Sequence, residues 1–280
     1  CHQFLGVYIC RDSVSVFSGD MKGTVFSRKT VSLHQETNES LLEKIIGLLD
    51  EHDMSHYLAI GISSIGPLDM IHKTILNPPD FHCVKNLSLG EYLETRYHLP
   101  VFMDNDMNTS ALAEKYFGDG RALSNFIYLG VSHGIGAGIV MNKSLYLGNC
   151  GFSGEVGHIT VDMHGKRCSC GNIGCLELYA SFPDNWDTLD AQQQHSSLRR
   201  ICDYLAVGCI TLINLFDPSV IFLGHEISVC AQEACDCISQ AISQRYLGSQ
   251  YRNVSILPSS FQKDAPVVGA LALCVDKLFG

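Results

Sequence analysis

The sequence has no apolar run of about 18 residues, the length a membrane-crossing helix needs. Its first residues also lack the charged-then-apolar pattern of a secretion signal. Basic residues are scarce: 19 Lys and Arg stand against 29 Asp and Glu, a net charge of −10, and no Lys/Arg-rich run occurs. Neutralising phosphates takes clustered cations, so these residues are not expected to hold nucleic acid directly. Cysteine is not scarce. Thirteen, an odd number, are scattered from Cys1 to Cys274. That does not read as a disulfide framework and fits a cytoplasmic chain with reduced thiols and a metal cluster. At 280 residues, 46% hydrophobic and 17% charged, the chain is a soluble globular protein long enough for two domains. It opens on Cys1 rather than Met, directly before a strand-like run, as a piece of a longer protein would.

The densest chemistry lies in Gly154 to Glu177, G-E-V-G-H-I-T-V-D-M-H-G-K-R-C-S-C-G-N-I-G-C-L-E. Zinc takes four tetrahedral ligands, usually Cys and His, and four protein ligands make a structural site. Cys168, Cys170 and Cys175 supply three, and Gly171 and Gly174 let the backbone wrap tightly. His158 or His164 supplies the fourth. Glu155 and Glu177 are not needed by zinc; carboxylates held by such a knot suit the hydroxyls of a sugar ring, as does His158. Upstream, Asp104-Asn105-Asp106 ends a strand just before a helix, the usual ligand address in open α/β sheets. There an Asp suits a general base and an Asn suits fixing a hydroxyl, while helix capping is the plainer role. Cys230, Cys235 and Cys237 read as free thiols.

Along the chain, Phe4 to Ile9, Ser13 to Phe17 and Thr24 to Leu33 read as a strand meander. Asn38 to Asp50 reads as a helix with Leu41, Ile45, Leu48 and Leu49 on one face. Strands are expected at Tyr57 to Ile62, Val101 to Met103, Phe126 to Leu129, Ile139 to Met141 and Val220 to Leu223, and helices at Met107 to Phe117, Ile201 to Phe216 and Val229 to Tyr246. Gly130 to Gly138 reads as a glycine-rich loop able to cradle a phosphate. Asn77 to Asp80 is another loop, and Phe182 to Ser196 reads as an irregular link. Pro266 opens a last helix. Alternating strands and helices make this an α/β protein, with no repeat evident from periodicity.

G-E-V-G-H-I followed by C-S-C-G-N-I-G-C-L-E resembles the zinc signature of the ROK family, which groups bacterial sugar kinases with sugar-responsive transcriptional repressors. The resemblance extends to G-I-S-S-I-G-P (Gly61 to Pro67), D-N-D-M-N (Asp104 to Asn108), G-I-G-A-G (Gly134 to Gly138) and N-L-F-D-P-S-V-I-F-L-G (Asn214 to Gly224). It implies a two-domain actin-like, ribonuclease H-like sugar-kinase fold closing over a cleft. One lobe would be 1–117 with the returning helix 266–280; the other would be 118–265 with the zinc loop 154–177. It also implies zinc on His158, Cys168, Cys170 and Cys175, and sugar contacts at Asn105, Asp106, Glu155, His158 and Glu177.

The departures are informative. Where family kinases carry a D-x-G-G-T-K phosphate loop, this chain reads Tyr8-Ile9-Cys10-Arg11-Asp12-Ser13; a G-T-G becomes Ser132-His133-Gly134, and a G-G becomes Gly224-His225. Family members usually carry a longer helical insertion between Glu177 and Ile201; its shortness here reads as a deletion or as residues missing from the sequence. Phosphoryl transfer depends on positioning and charge-stabilising phosphates, so the resemblance is closest to the repressor-type members. The expectation is a catalytically inactive, sugar-binding effector domain of a homodimer or homotetramer, reaching DNA only through an upstream winged-helix segment and switching by population shift. The alternative is a kinase of hexoses or N-acetylhexosamines that uses ATP and Mg, with Asp106 as catalytic base.

Overall fold

Gln3–Ile9 (β1) and Ser13–Asp20 (β2), buried along most of their length, and the mostly exposed Val25–Ser32 (β3) form an antiparallel meander. The computed structural model describes residues 2–79, 81 and 83–280; Asp80, the last residue of the Asn77 loop, lies outside them, as does Cys1. Next come Asn38–Leu49 (α1), Tyr57–Ser64 (β4), the short pair Leu68–Asp69 (β5) and Thr74–Ile75 (β6), Leu89–Tyr97 (α2), Val101–Asn105 (β7) and Asp106–Tyr116 (α3). Thr37 and Ser40 form a reciprocal capping box at the start of α1, which satisfies two otherwise orphaned donors. β4 and β7 add in parallel to β1, giving the order β3-β2-β1-β4-β7. One face of this sheet is covered by residues of α1 and α2 such as Leu41, Ile45 and Leu93. The C-terminal helix Ala265–Phe279 buries Val267, Leu271 and Cys274 against Phe4 and Phe17.

A second sheet repeats this plan. Phe126–Val131 (β8), Ile135–Met141 (β9) and Ser144–Leu145 (β10) form the meander. Val220–Gly224 (β11) and Ser255–Pro258 (β12) extend it in parallel, in the order β10-β9-β8-β11-β12. The helices here are Glu177–Ala180 (α4), Ala191–Phe216 (α5) and Ala231–Ile242 (α6). β8 and β11 are buried along their whole length, as strands covered on both faces are. The chain divides into unit 1, comprising Cys1–Arg121, Asn149–Gly151 and Asp264–Gly280, and unit 2, comprising Ala122–Gly148 and Phe152–Lys263. No helix among the described residues is long and apolar enough to cross a membrane.

Three segments that were named from the sequence take a different form. The link expected at Phe182 to Ser196 is helical from Ala191, because Asp190 and Gln193 form a capping box that starts α5 ahead of its first buried residue, Leu198. The helix expected over Val229 to Tyr246 is confined to Ala231–Ile242, with a 3-10 segment, His225–Cys230, before it. The glycine-rich stretch Gly130 to Gly138 is mostly strand: β9 starts at Ile135, leaving only Ser132 to Gly134 as the turn.

Candidate functional site

Gly154 opens the metal stretch with φ +88, and a β-carbon there would stand 1.9 Å from the Ala137 carbonyl oxygen. Only glycine allows the segment to lie this flat on β9, and the contact fixes where Glu155 and the 3-10 turn Val156–His158 begin. Gly174 plays the same part at the other end, with φ +66 and a would-be β-carbon 1.7 Å from Asp162 O. Between them, bridges Thr160↔Cys175 and Arg167↔Ile173 close a small knuckle. Tyr179 of α4 stacks on Tyr204 of α5 at 4.8 Å and roots the knuckle on the unit 2 core.

This folding brings His158, Cys168, Cys170 and Cys175 together, with all four donor atoms within 4.8 Å of one another. No second such group occurs among the described residues. Four ligands about 2.3 Å from a tetrahedral ion stand roughly 3.7 Å apart. Cys170 Sγ and Cys175 Sγ are 3.7 Å apart, and Cys168 Sγ is 3.8 Å from His158 Nδ1. The donor set and its spacing therefore fit zinc. Burial pushes the Cys168 thiol up, but hydrogen bonds from Cys170, Cys175 and His158 outweigh it and hold the thiol near 7. Burial and the neighbouring sulfurs push Cys175 up to about 12. Thiols crowded without a cation cannot all ionise; a divalent ion removes that conflict. His164, the other histidine of the stretch, is exposed and outside the cluster.

Glu177 starts α4 two residues after Cys175. Its Oε2 accepts the Ile135 N–H at 3.1 Å. Ser181 lies within hydrogen-bond reach of His133 O (2.7 Å), and Phe182 N–H donates to Ser132 O (2.7 Å). The end of the knuckle is thus bound to the β8–β9 turn. Glu155 is exposed and His158 half-buried.

In unit 1, Asn105 ends β7 and caps α3, its Oδ1 accepting the Asn108 N–H at 2.7 Å. The capping role is real and leaves the Asn105 amide nitrogen for another partner. Asp106 is the first residue of α3, half-buried, its carbonyl accepting from the Thr109 and Ser110 hydroxyls. Asp104 is fully buried; its Oδ1 accepts from Asn105 N and Asn108 Nδ2, both at 2.8 Å. Burial raises its carboxyl to about 6 from 3.8, against the two hydrogen bonds and Lys277, with Asp276 adding to the rise.

A raised pKa means that the folded chain holds this proton more tightly than the unfolded chain. The cost of ionising Asp104 is therefore absent below about pH 4, grows between pH 4 and 6, and is complete above it. Asp104→Asn keeps an oxygen acceptor for both donors. It is expected to be more stable than the parent at pH 8 by about 1–3 kcal/mol and to show no advantage at pH 4. Urea unfolding at the two pH values measures this; equal differences at both would remove Asp104 as the cause.

The three glycine-poor segments are also built out of their own atoms. In the β1–β2 turn, Cys10 N–H donates to Ser13 O (3.0 Å), the Cys10 thiol lies 3.0 Å from Ser13 Oγ and 3.2 Å from Asp12 Oδ1, and Leu33 N–H donates to Asp12 O. In the β8–β9 turn, Ser132 N–H donates to Gly134 O and Ile135 N–H to Glu177. After β11, His225 is buried against Tyr128. The Ile135–Glu177 bond and the Tyr128–His225 pair carry no sequence signal, since their partners are 42 and 97 residues apart.

A model of the ROK family matches residues 4–183 and 187–277. The chain is 30% identical to the xylose repressor of Bacillus spizizenii, covering 97% of this chain and 77% of that protein. Among solved structures, a ROK family transcriptional regulator described as a homologue of the E. coli MLC protein is 27% identical with TM-score 0.84, over 97% of this chain and 77% of the other. A ROK family glucokinase from Streptomyces griseus, in complex with glucose and AMPPNP, is 26% identical with TM-score 0.84, over 97% and 98%.

Proposed function

Since this chain belongs to the ROK family and has the actin-like sugar-kinase fold of its members, we propose that it is the sugar-binding effector part of a transcriptional regulator without kinase activity. The observation that carries this reading is the β1–β2 turn. Phosphate loops work by offering free backbone N–H groups at close range. Here the turn spends the Cys10 N–H on Ser13 and places the Asp12 carboxylate and the Cys10 side chain in the same turn. An incoming phosphate would meet a like charge and no glycine.

We also assign sugar-side roles to the residues that match the family's motif. Asn105 and Asp106 hold one set of hydroxyls, with Asp106 accepting; Glu155, His158 and Glu177 hold another. Zinc on His158, Cys168, Cys170 and Cys175 supplies rigidity when bound. His158 turns Nδ1 to the metal group, which leaves Nε2 for a hydroxyl. DNA would be contacted through a basic winged-helix segment on the N-terminal side, in a dimer or tetramer in the cytoplasm. Similarity to a protein named as a xylose repressor makes pentoses and hexoses the first ligands to try.

A monosaccharide panel is expected to contain one sugar that raises Tm by mass action, while the same sugar with ATP and magnesium gives no ADP in a coupled assay. Turnover would overturn the regulator reading. The retained Asp106 favours that second reading, an ATP-dependent sugar kinase in which it deprotonates the attacking hydroxyl.

A further inference from the structure

Oxidation of a thiol needs access to solvent, and closing a disulfide needs a second sulfur close by. Cys83, Cys150 and Cys170 are all exposed, but Cys170 also has the Cys175 Sγ 3.7 Å from its own. The three sulfurs of the knuckle are not equivalent. Cys175 is fully buried, and its backbone bridges Thr160. Cys168 is buried too, with its N–H donated to Asn172 O and its Sγ 3.8 Å from His158 Nδ1. Cys170 stands at the tip of the turn between them, where every residue from Ser169 to Ile173 is exposed. Beside it Gly171 has φ +97, with open space where a β-carbon would be. A glycine there lets the tip swing, and a disulfide bond of about 2 Å needs only a short approach from 3.7 Å.

We propose that Cys170 is a site of reversible oxidation by peroxide, with Cys175 as the partner that closes a disulfide on it. In the first step the Cys170 sulfur attacks hydrogen peroxide; an S–O bond forms, the O–O bond breaks, and one oxygen leaves as water. In the second the Cys175 sulfur attacks the Cys170 sulfur; the S–S bond forms, and the hydroxyl leaves with the Cys175 proton as a second water. Where the sulfurs hold zinc and carry no protons, the two that are needed come from solvent. The sulfurs give up two electrons, which the peroxide takes, and a dithiol returns them by exchange. The disulfide removes two of the four donors grouped here. His158 and Cys168 are too few to close a tetrahedral site, so oxidation expels the ion. Glu177 follows Cys175 by two residues, so sugar binding falls as well, a consequence that rests on the effector reading above.

The test treats the zinc-loaded chain with equimolar hydrogen peroxide. Free thiols are then blocked with one alkylating reagent as the chain is unfolded, and a second, heavier reagent is added after reduction. Mass spectrometry is expected to find the second label on Cys170 and Cys175 together, about tenfold above Cys168 and Cys83. A zinc-sensitive dye should register about one ion released for each disulfide formed, and dithiothreitol with added zinc should restore the parent state. A second label spread evenly over the exposed cysteines, or paired on Cys168 and Cys170, would overturn the proposal. So would a disulfide form that keeps its zinc, or one that the dithiol cannot reduce. A chain that takes up no zinc before oxidation strikes the metal reading instead, while the labels still decide the disulfide. A chain that loses zinc but keeps its sugar-induced rise in Tm strikes the link between knuckle and ligand.

Discussion

Cys170→Ser is expected to yield a chain with less than about a tenth of the parent's zinc and no rise in Tm with the sugar that stabilises the parent. Cys170 is exposed, whereas Cys168 and Cys175 are buried, so this substitution removes a thiolate without opening a cavity in the core. Structural zinc in small knuckles is worth about 10 kcal/mol or more to the local fold. Besides the ion, the knuckle is held by two short bridges, backbone bonds such as Cys168 N–H to Asn172 O, the Asn172 amide on His158 O and the Tyr179–Tyr204 stack. When it loosens, Glu177 loses its position, since only Leu176 separates it from Cys175, and with it goes the bond to Ile135 N–H. The rest of unit 2, with its core of Ile127, Leu129, Leu205 and Ile221, should stay folded. Far-UV dichroism would then change little while zinc and sugar binding fall together. Cys83→Ser, an exposed thiol in unit 1, is the control and should leave both untouched. Full sugar affinity in a zinc-free Cys170→Ser chain would break the proposed link between knuckle and ligand.

The residues of that knuckle could be read from the sequence because ligand chemistry is local: three thiols and a histidine sit within 18 positions, with glycines where the backbone must turn. Between His158 and His164, spacing alone did not decide; the flat run of Gly154 to His158 along β9 brings His158 to the sulfurs and leaves His164 outside. Strands such as β8 and β11 were visible as apolar runs. The helix α2 was not, because only Leu89, Gly90 and Leu93 of its nine residues are buried and the apolar signal is short. The first turns of α5 were hidden for a related reason: Gln192, Gln193 and His195 are exposed, and a capping box, not periodicity, starts the helix. The repeated sheet order of the two units was out of reach too, since topology can recur without any repeat of residues. The raised carboxyl of Asp104 depends on how deeply β7 and α3 bury it, which is a tertiary fact. Asn105, by contrast, was legible as a cap, which the structure shows; its part in holding a ligand is proposed.

Asp106→Asn separates the two functional readings more sharply than any other single change. Asp106 sits at the first position of α3, where its charge favours the helix by only a few tenths of a kcal/mol up to about 1, so the fold should survive its loss. A hydrogen bond to an ionised acceptor is worth about 1.5–3 kcal/mol, which is roughly a 10- to 150-fold change in affinity. If the chain is an effector domain, Asp106→Asn should weaken sugar binding by that factor, and neither parent nor variant should make ADP. If it is a kinase, the parent turns over, and the variant should keep much of its sugar affinity while losing kcat, because the carboxylate's main work is then on the proton of the attacking hydroxyl. Titration calorimetry with the stabilising sugar gives the first quantity and the coupled ADP assay the second. A variant whose sugar affinity matches the parent, in the absence of turnover by either, would remove Asp106 from the sugar site. The Asn105 cap and Glu177 would then remain as the residues from which to rebuild it.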